Sequence, residues 1–363
     1  MQPMRIGLIG LPASGKSTVY RLLTHGQPGH HASRPGDPSI TAVRVPDPRL
    51  DRLASIVKPK KVTPASIELI DLPPLVKGSS KEVSGGGQLL PLLRQTDAFL
   101  AVLRAFTDER VPHIEGRIDP ARDAAALQLE LLVADLDLVQ KRIAKIEEGL
   151  RKGKRDENLQ ELALLKRCQV ALEGERPLRE ISFAPEEDRL LRGFQFLTAK
   201  PILFLLNVTE YGGTPLAGLE TPKATGDRDH ASPFPISAKL ELELADLSPD
   251  EASAFRAELS LDASSVPRLL QACHDLLNLI SFFTVVGDEL RVWTIARGST
   301  ALKAAGTVHT DMERGFIRAE VVGYEALIRS GGMAAARKEG LLRLEGKDYV
   351  VADGDVITIR FNL

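Results

Sequence analysis

The octapeptide Gly10-Leu11-Pro12-Ala13-Ser14-Gly15-Lys16-Ser17 constrains this chain more than any other feature. Its spacing, a glycine, four residues, then Gly-Lys-Ser, is that of a phosphate-binding loop. The glycines let the backbone curl so that successive N–H groups face one anion. Lys16 adds a point charge for the outer phosphates, and the Ser17 hydroxyl suits Mg²⁺. The apolar run Met4–Gly10 reads as a buried strand and Lys16–Thr24 as the helix after it, whose positive end faces the same anion. Candidate phosphate contacts are therefore Gly10 to Ser17, with Thr18 in the first helical turn.

At 363 residues the chain is long enough for two or three domains, each with its own core. Hydrophobic residues at 43% and charged residues at 26% are ordinary for a globular protein, and a net charge of −2 neither demands nor excludes nucleic acid. The two cysteines, Cys168 and Cys273, lie too far apart for a metal or redox pair and suit a reducing cytosol. No apolar stretch reaches the ~18 residues that suggest a membrane span. The N-terminal apolar run enters the glycine loop, so it reads as a strand and not a signal peptide. A soluble, cytoplasmic, monomeric protein is expected.

Ser66–Leu72, Ala98–Leu103 and Pro201–Leu206 read as further buried strands with helical patterns between them, which implies a mostly parallel α/β sheet. Arg49–Val57 reads as an amphipathic helix, and the Gly/Pro-rich stretches 25–41 and 73–87 as loops. Between 118 and 175, Leu129, Leu132, Leu136, Val139, Ile143, Ile146 and Leu150 follow a heptad seam. Gly149 and Gly153 bracket a turn and a leucine-rich face returns, so an antiparallel helical hairpin is expected; a long parallel coiled-coil dimer is the alternative. The tail predicts a small α+β domain: strands Phe282–Val286 and Glu289–Ile295 around Gly287-Asp288, strand Phe316–Val321, and a pair Asp348–Val351 and Val356–Phe361 around Asp353-Gly354. The expected domains are 1–117 and 176–280 (two parts of one α/β domain), 118–175 (hairpin) and 281–363.

Asp71, ending a buried strand, is the expected partner of Ser17 in holding Mg²⁺; a turn or helix-capping aspartate is the alternative. Asn207-Val208-Thr209-Glu210 follows the strand PILFLL, where an Asn and a carboxylate can read a purine edge. Ser237-Ala238-Lys239, after a short strand, is placed to close over the same base with backbone groups. Trp293 and the heptad leucines read as core. His25, His30 and His31 lack metal-ligand spacing and read as loop residues.

Several further tracts resemble the Obg-like ATPases, or YchF family, of translation-factor-class P-loop proteins: Val45-Pro46-Asp47-Pro48-Arg49-Leu50, Leu75-Val76-Lys77-Gly78, HTDMERGFIRAEVVGYE from His309, and EGKDYVVADGDVITIRFNL from Glu345. The resemblance covers nearly the whole chain. It implies a G domain with an inserted helical hairpin and a C-terminal TGS domain of ubiquitin-like β-grasp fold. It also implies binding of ATP, often with GTP tolerated, together with Mg²⁺, and association with ribosomes or RNA. The candidate catalytic residues it carries over are His113 and Lys77; His113 reads equally as a solvated loop residue. Glu210 matches the family's replacement of the guanine-reading aspartate, and Val208 stands where a guanine-reading lysine would be. Both favour adenine, whereas Ser237–Lys239 suits the guanine O6 acceptor.

The chain also departs from the family. Ala13 replaces an asparagine able to help hold a monovalent cation, and Pro74 replaces a glycine whose N–H bonds the γ-phosphate. The switch I threonine falls at Pro35, leaving Ser33, Ser39 and Thr41 as substitutes. Leu75 stands where a water-positioning glutamine occurs in Ras-type enzymes, as is usual in this family. The tip Arg151-Lys152-Gly153-Lys154-Arg155 is either an RNA contact or a solvated turn balanced by Asp156 and Glu157. Three functions fit: a slow ATPase regulating ribosomes, a nucleotide-binding adaptor without hydrolysis, and a GTPase switch.

Overall fold

In the computed structural model, residues 4–25, 29–30, 38–76, 78, 89–152, 159–209, 221–222, 230–231, 233–259, 261 and 264–362 are described. The strands are β1 (Arg5–Ile9), β2 (Gly29–His30), β3 (Ser39–Arg44), β4 (Lys61–Thr63), β5 (Ser66–Asp71), β6 (Ala98–Ala105), β7 (Ile202–Val208), β8 (Thr221–Pro222), β9 (His230–Ala231), β10 (Phe234–Ile236), β11 (Leu279–Val286), β12 (Glu289–Ala296), β13 (Phe316–Gly323), β14 (Arg343–Glu345) and β15 (Asp355–Phe361). The helices are α1 (Lys16–Leu23), α2 (Pro48–Val57), α3 (Leu89–Arg94), α4 (Pro120–Arg151), α5 (Leu159–Glu173), α6 (Pro185–Arg192), α7 (Ala238–Ala245), α8 (Pro249–Glu258), α9 (Ser265–Leu276), α10 (Ala301–Val308), α11 (Thr310–Arg314), α12 (Tyr324–Ser330) and α13 (Met333–Lys338). They form two compact units, Met4–Thr41 with Leu69–Val266, and Ala42–Glu68 with Pro267–Leu363.

The first unit is built on a seven-stranded sheet of order β10-β7-β6-β1-β5-β3-β2. Strands β10, β7, β6 and β1 run parallel. Their near-continuous apolar runs are what a strand covered on both faces requires, and Ile6, Leu8, Phe99, Leu100 and Leu205 are fully buried. The strand ends therefore collect the polar residues: Gly10 follows β1, Asp71 ends β5, and register pairs Arg104 of β6 with Asn207 of β7.

Helices α4 and α5 pack against each other as the expected hairpin, but the seam differs at its root. Leu129 is 48% exposed, and the buried residues there are Ala124, Leu127, Leu131 and Ala134. Those four join the sheet core with Ile9, Leu72 and Phe204, whereas Leu132, Val139, Ile143 and Ile146 pack on Leu164, Leu165 and Cys168. One helix thus carries two apolar stripes, because its first half must cover a sheet and its second half a helix. Asp135 sits at the changeover, wholly buried. Its carboxylate accepts from Leu197 N–H (3.1 Å), Thr198 N–H (2.7 Å) and the Thr198 hydroxyl (2.8 Å). Burial pushes its pKa up, and these bonds oppose that shift.

The second unit has a six-stranded sheet of order β14-β13-β15-β11-β12-β4. Strands β11 and β12 form the expected hairpin, with Gly287 at φ 57° in its turn. The expected pairing of 348–351 with 356–361 does not form. Instead β15 lies between β13, antiparallel, and β11, parallel, and β13 takes β14 on its other side. The stretch before β15 is held as a loop: the Tyr349 carbonyl accepts from Ala301 N–H (2.8 Å), and the Tyr349 hydroxyl donates to Asp355 (2.8 Å).

Residues 42–68 belong to this unit through long-range contacts that local pattern does not reveal. β4 pairs with β12, and α2 packs on α12. Arg49 donates to Asp47 (3.0 and 2.8 Å) and, 304 residues away, to Asp353 (3.0 Å). Its guanidinium lies 5.6 Å from the Phe283 ring centre, while Asp353 also accepts from Ser281 N–H at 2.9 Å. Burial opposes the charge on Arg49, but the two carboxylates outweigh it and raise its pKa. Arg49→Met strands both carboxylates and is expected to destabilise this unit by about 2 kcal/mol. The single tryptophan, Trp293, lies in the same unit, so urea unfolding followed by its fluorescence reads the effect. A shift under about 0.5 kcal/mol would show that water compensates the clamp.

Candidate nucleotide site

The glycines of the phosphate loop are dictated by close approach. A Cβ on Gly10 would lie 2.7 Å from Ser14 Oγ and 2.9 Å from the Val102 carbonyl. Gly15 has φ 85°, and a Cβ there would lie 2.1 Å from Asn207 Nδ2. Ala13 also has positive φ, 62°, a conformation asparagine adopts more readily than alanine. Lys16 opens α1 with its side chain 9% exposed, and its Nζ is paired with Asp71 Oδ1. Ser17, beside it, is exposed.

This arrangement tests the Mg²⁺ expectation. Ser17 and Asp71 offer hard oxygen ligands, and no group of three or more His, Cys, Asp or Glu able to hold a metal occurs among the described residues. Two protein oxygens completed by phosphate and water suit Mg²⁺, which keeps much of its hydration shell.

The residues expected on the base side converge on the same loop. Asn207 Nδ2 donates to the Ser14 carbonyl (3.1 Å), and its Oδ1 accepts from Ala238 N–H (3.3 Å). Ser237 Oγ donates to the Thr209 carbonyl (2.9 Å). A cavity of about 700 Å³ opens here, walled by Ala13, Gly15, Thr18, Val208, Ser237 and Lys239 among others. Lys239 itself is 79% exposed, its ammonium 3.9 Å from Glu243. One wall was not expected: Phe106, Thr107, Asp108, Arg110 and Val111, in the loop after β6. An arginine and a phenylalanine at the end of a buried strand, Arg104-Ala105-Phe106, are the only sequence trace of it.

Thr41 and Leu75 are committed elsewhere. Thr41 is buried in β3, its hydroxyl 2.8 Å from the Tyr20 hydroxyl, so it does not stand in for the switch I threonine. Leu75 is buried in the sheet core with Leu11 and Leu72, and its N–H donates to the Gly10 carbonyl (3.0 Å). His113 is neither a solvated loop residue nor part of the cavity wall; its side chain is 6% exposed. Its Nδ1 accepts from Glu115 N–H (3.1 Å), which leaves Nε2 to donate to Asp123 in the first turn of α4 (2.9 Å). Lys77, Glu210, Pro35 and the tip residues Gly153, Lys154 and Arg155 lie outside the described residues.

The chain is 39% identical to the ribosome-binding ATPase YchF of Bacillus subtilis (strain 168), over 98% of this chain and 99% of that protein. It belongs to the YchF family of Obg-like ATPases. The YchF of Escherichia coli O157:H7 is 37% identical over 99% of both chains. Obg-like ATPase 1 of Oryza sativa subsp. japonica is 35% identical over 99% of this chain and 92% of that one. A family model, YchF-GTPase_C, described as a protein of unknown function (DUF933), matches residues 279–362. The solved structure of the Schizosaccharomyces pombe YchF GTPase superposes with a TM-score of 0.80 at 31% identity, covering 99% of this chain and 98% of that one. The chain is thus a nucleotide-binding P-loop protein with the YchF fold. Its hairpin and C-terminal α+β unit are parts of that fold.

Lys16 carries a positive charge into the loop that no other side chain of Gly10–Ser17 supplies. Lys16→Ala is expected to remove measurable ATP binding in calorimetry while the thermal melt keeps its shape. Retained ATP affinity would overturn the assignment of the loop.

Proposed function

We propose that this YchF protein binds ATP, with GTP tolerated, as its Mg²⁺ complex and hydrolyses it slowly in the cytoplasm. The observation that carries the reading is the joined geometry of loop and cavity: Asn207 touches the phosphate loop, and the cavity wall beside it is apolar at Phe106, Val111 and Val208. Incoming phosphates replace Asp71 as the counter-charge of Lys16, freeing the carboxylate for Mg²⁺ or its water shell. Val208 gives guanine no lysine to pack against, and Glu210 replaces its usual aspartate, so adenine is favoured.

Slow turnover follows from the same inventory. Leu75 turns into the core and orients no water, and Pro74 has no N–H for the γ-phosphate. His113 acts as a base only after leaving the N–H of Glu115 or the carboxylate of Asp123, both of which hold it away from solvent. Lys77 is the second catalytic candidate. These features also favour a second reading, an adaptor that binds nucleotide without hydrolysing it.

Ribosome association rests on the names of the relatives, ribosome-binding ATPases. The proposed contacts with ribosomal RNA are the hairpin tip, where Arg151 and Lys152 are exposed, and the C-terminal unit, read as a TGS domain. The protein is proposed to act as a monomer.

Calorimetry with ADP, GDP, ATP and GTP, beside steady-state phosphate release, separates these readings. ADP is expected to bind at least severalfold more tightly than GDP, with slow phosphate release from ATP. A tenfold preference for GDP would make this a GTPase switch. Tight ATP binding with no release above buffer would make it an adaptor.

A further inference from the structure

Arg104 ends the buried part of β6 at 3% exposure. Removing a guanidinium from water costs several kcal/mol unless its donors are well placed. Both of its hydrogen bonds go to one loop. Nε donates to the Phe106 carbonyl (3.2 Å) and Nη2 to the Val111 carbonyl (2.7 Å), and the guanidinium lies 4.5 Å from the centre of the Phe106 ring. Nη1 is buried with no hydrogen-bond partner among the described residues.

The loop it grips, 106–111, has neither helix nor strand to hold its shape. The turn bond from Val111 N–H to the Asp108 carbonyl (3.1 Å) and the Asp108–Arg110 pair hold its middle, and Thr107 N–H donates to the Thr209 hydroxyl (3.3 Å). Arg104 joins its two ends from beneath, and the residues between are the unexpected wall of the cavity. Phe106 reaches the phosphate loop as well: its Cε1 lies 3.5 Å from where a Gly15 Cβ would be. The guanidinium lies over the ring, and Phe106, partly buried, is itself one of the residues that line the cavity.

We propose that Arg104 is a positioning residue for the purine. It fixes the Phe106 ring and the 106–111 wall where a base stacks, and so sets affinity for the base and not for the phosphates. This rests on the reading that the cavity takes the base of a nucleotide. Lysine is not equivalent here, because one ammonium cannot span both carbonyls and stack on the ring as a planar fork does.

The test is calorimetry of Arg104→Met and Arg104→Lys with ADP and with pyrophosphate, which has no base. Arg104→Met is expected to bind ADP at least tenfold more weakly and pyrophosphate within twofold of wild type, with Arg104→Lys intermediate for ADP. Unchanged ADP affinity overturns the proposal. So does a parallel loss for ADP and pyrophosphate, the mark of a merely structural role. If Arg104→Met does not fold, Arg104→Lys decides alone, since it keeps the buried charge. Wild type binding pyrophosphate as tightly as ADP would instead refute the base cavity itself, and Arg104's role with it.

Discussion

One primary amide holds the nucleotide site of this YchF protein together. Asn207 donates to the phosphate-loop carbonyl of Ser14 and accepts from the first N–H of α7, so three segments far apart in sequence share two hydrogen bonds. Both bonds are buried, where leaving a donor or acceptor unmade costs about 1–3 kcal/mol. Much else follows. Gly15 has to be glycine because the amide occupies the space of a Cβ, and glycine is also what its positive φ requires. The cavity opens against the phosphate loop because the amide ties β7 to it.

Around this joint, the buried charges have specific partners. Arg104 grips the loop after β6, Asp135 gathers the N–H groups of 197 and 198 at the hairpin root, and Lys16 waits on Asp71. His113 joins two of these regions: it follows the 106–111 loop and donates to Asp123 at the start of α4. A 32-residue helix that begins on the sheet core and ends in a hairpin is thereby tied to the loop that lines the cavity.

Much of this was legible in the sequence, and the exceptions share a cause. The phosphate loop, the buried strands, Asp71, Asn207 and the Ser237 turn all announce themselves locally, by spacing or by apolar runs. What was not legible depends on contacts between distant segments. Arg104 reads as a charge at a strand end, with nothing to say that it turns inward under Phe106. Arg49 reads as a helix-surface residue until Asp353 is placed beside it. Leu129 fits the heptad, yet the sheet claims the neighbouring face of α4, and Leu129 is left in solvent. Thr41 reads as a free hydroxyl, and only packing shows it spent on Tyr20. Residues 348–351 alternate like a strand, but β15 already has partners on both sides.

An amide that builds both halves of the site differs from one that only reads the base. Asn207→Ala tests this directly by calorimetry with ADP and with pyrophosphate, on protein whose melt confirms folding. Loss of the bond to Ser14 is expected to weaken both ligands about tenfold or more, the equivalent of roughly 1.4 kcal/mol each. Pyrophosphate affinity unchanged while ADP affinity falls would contradict the account and confine Asn207 to the base.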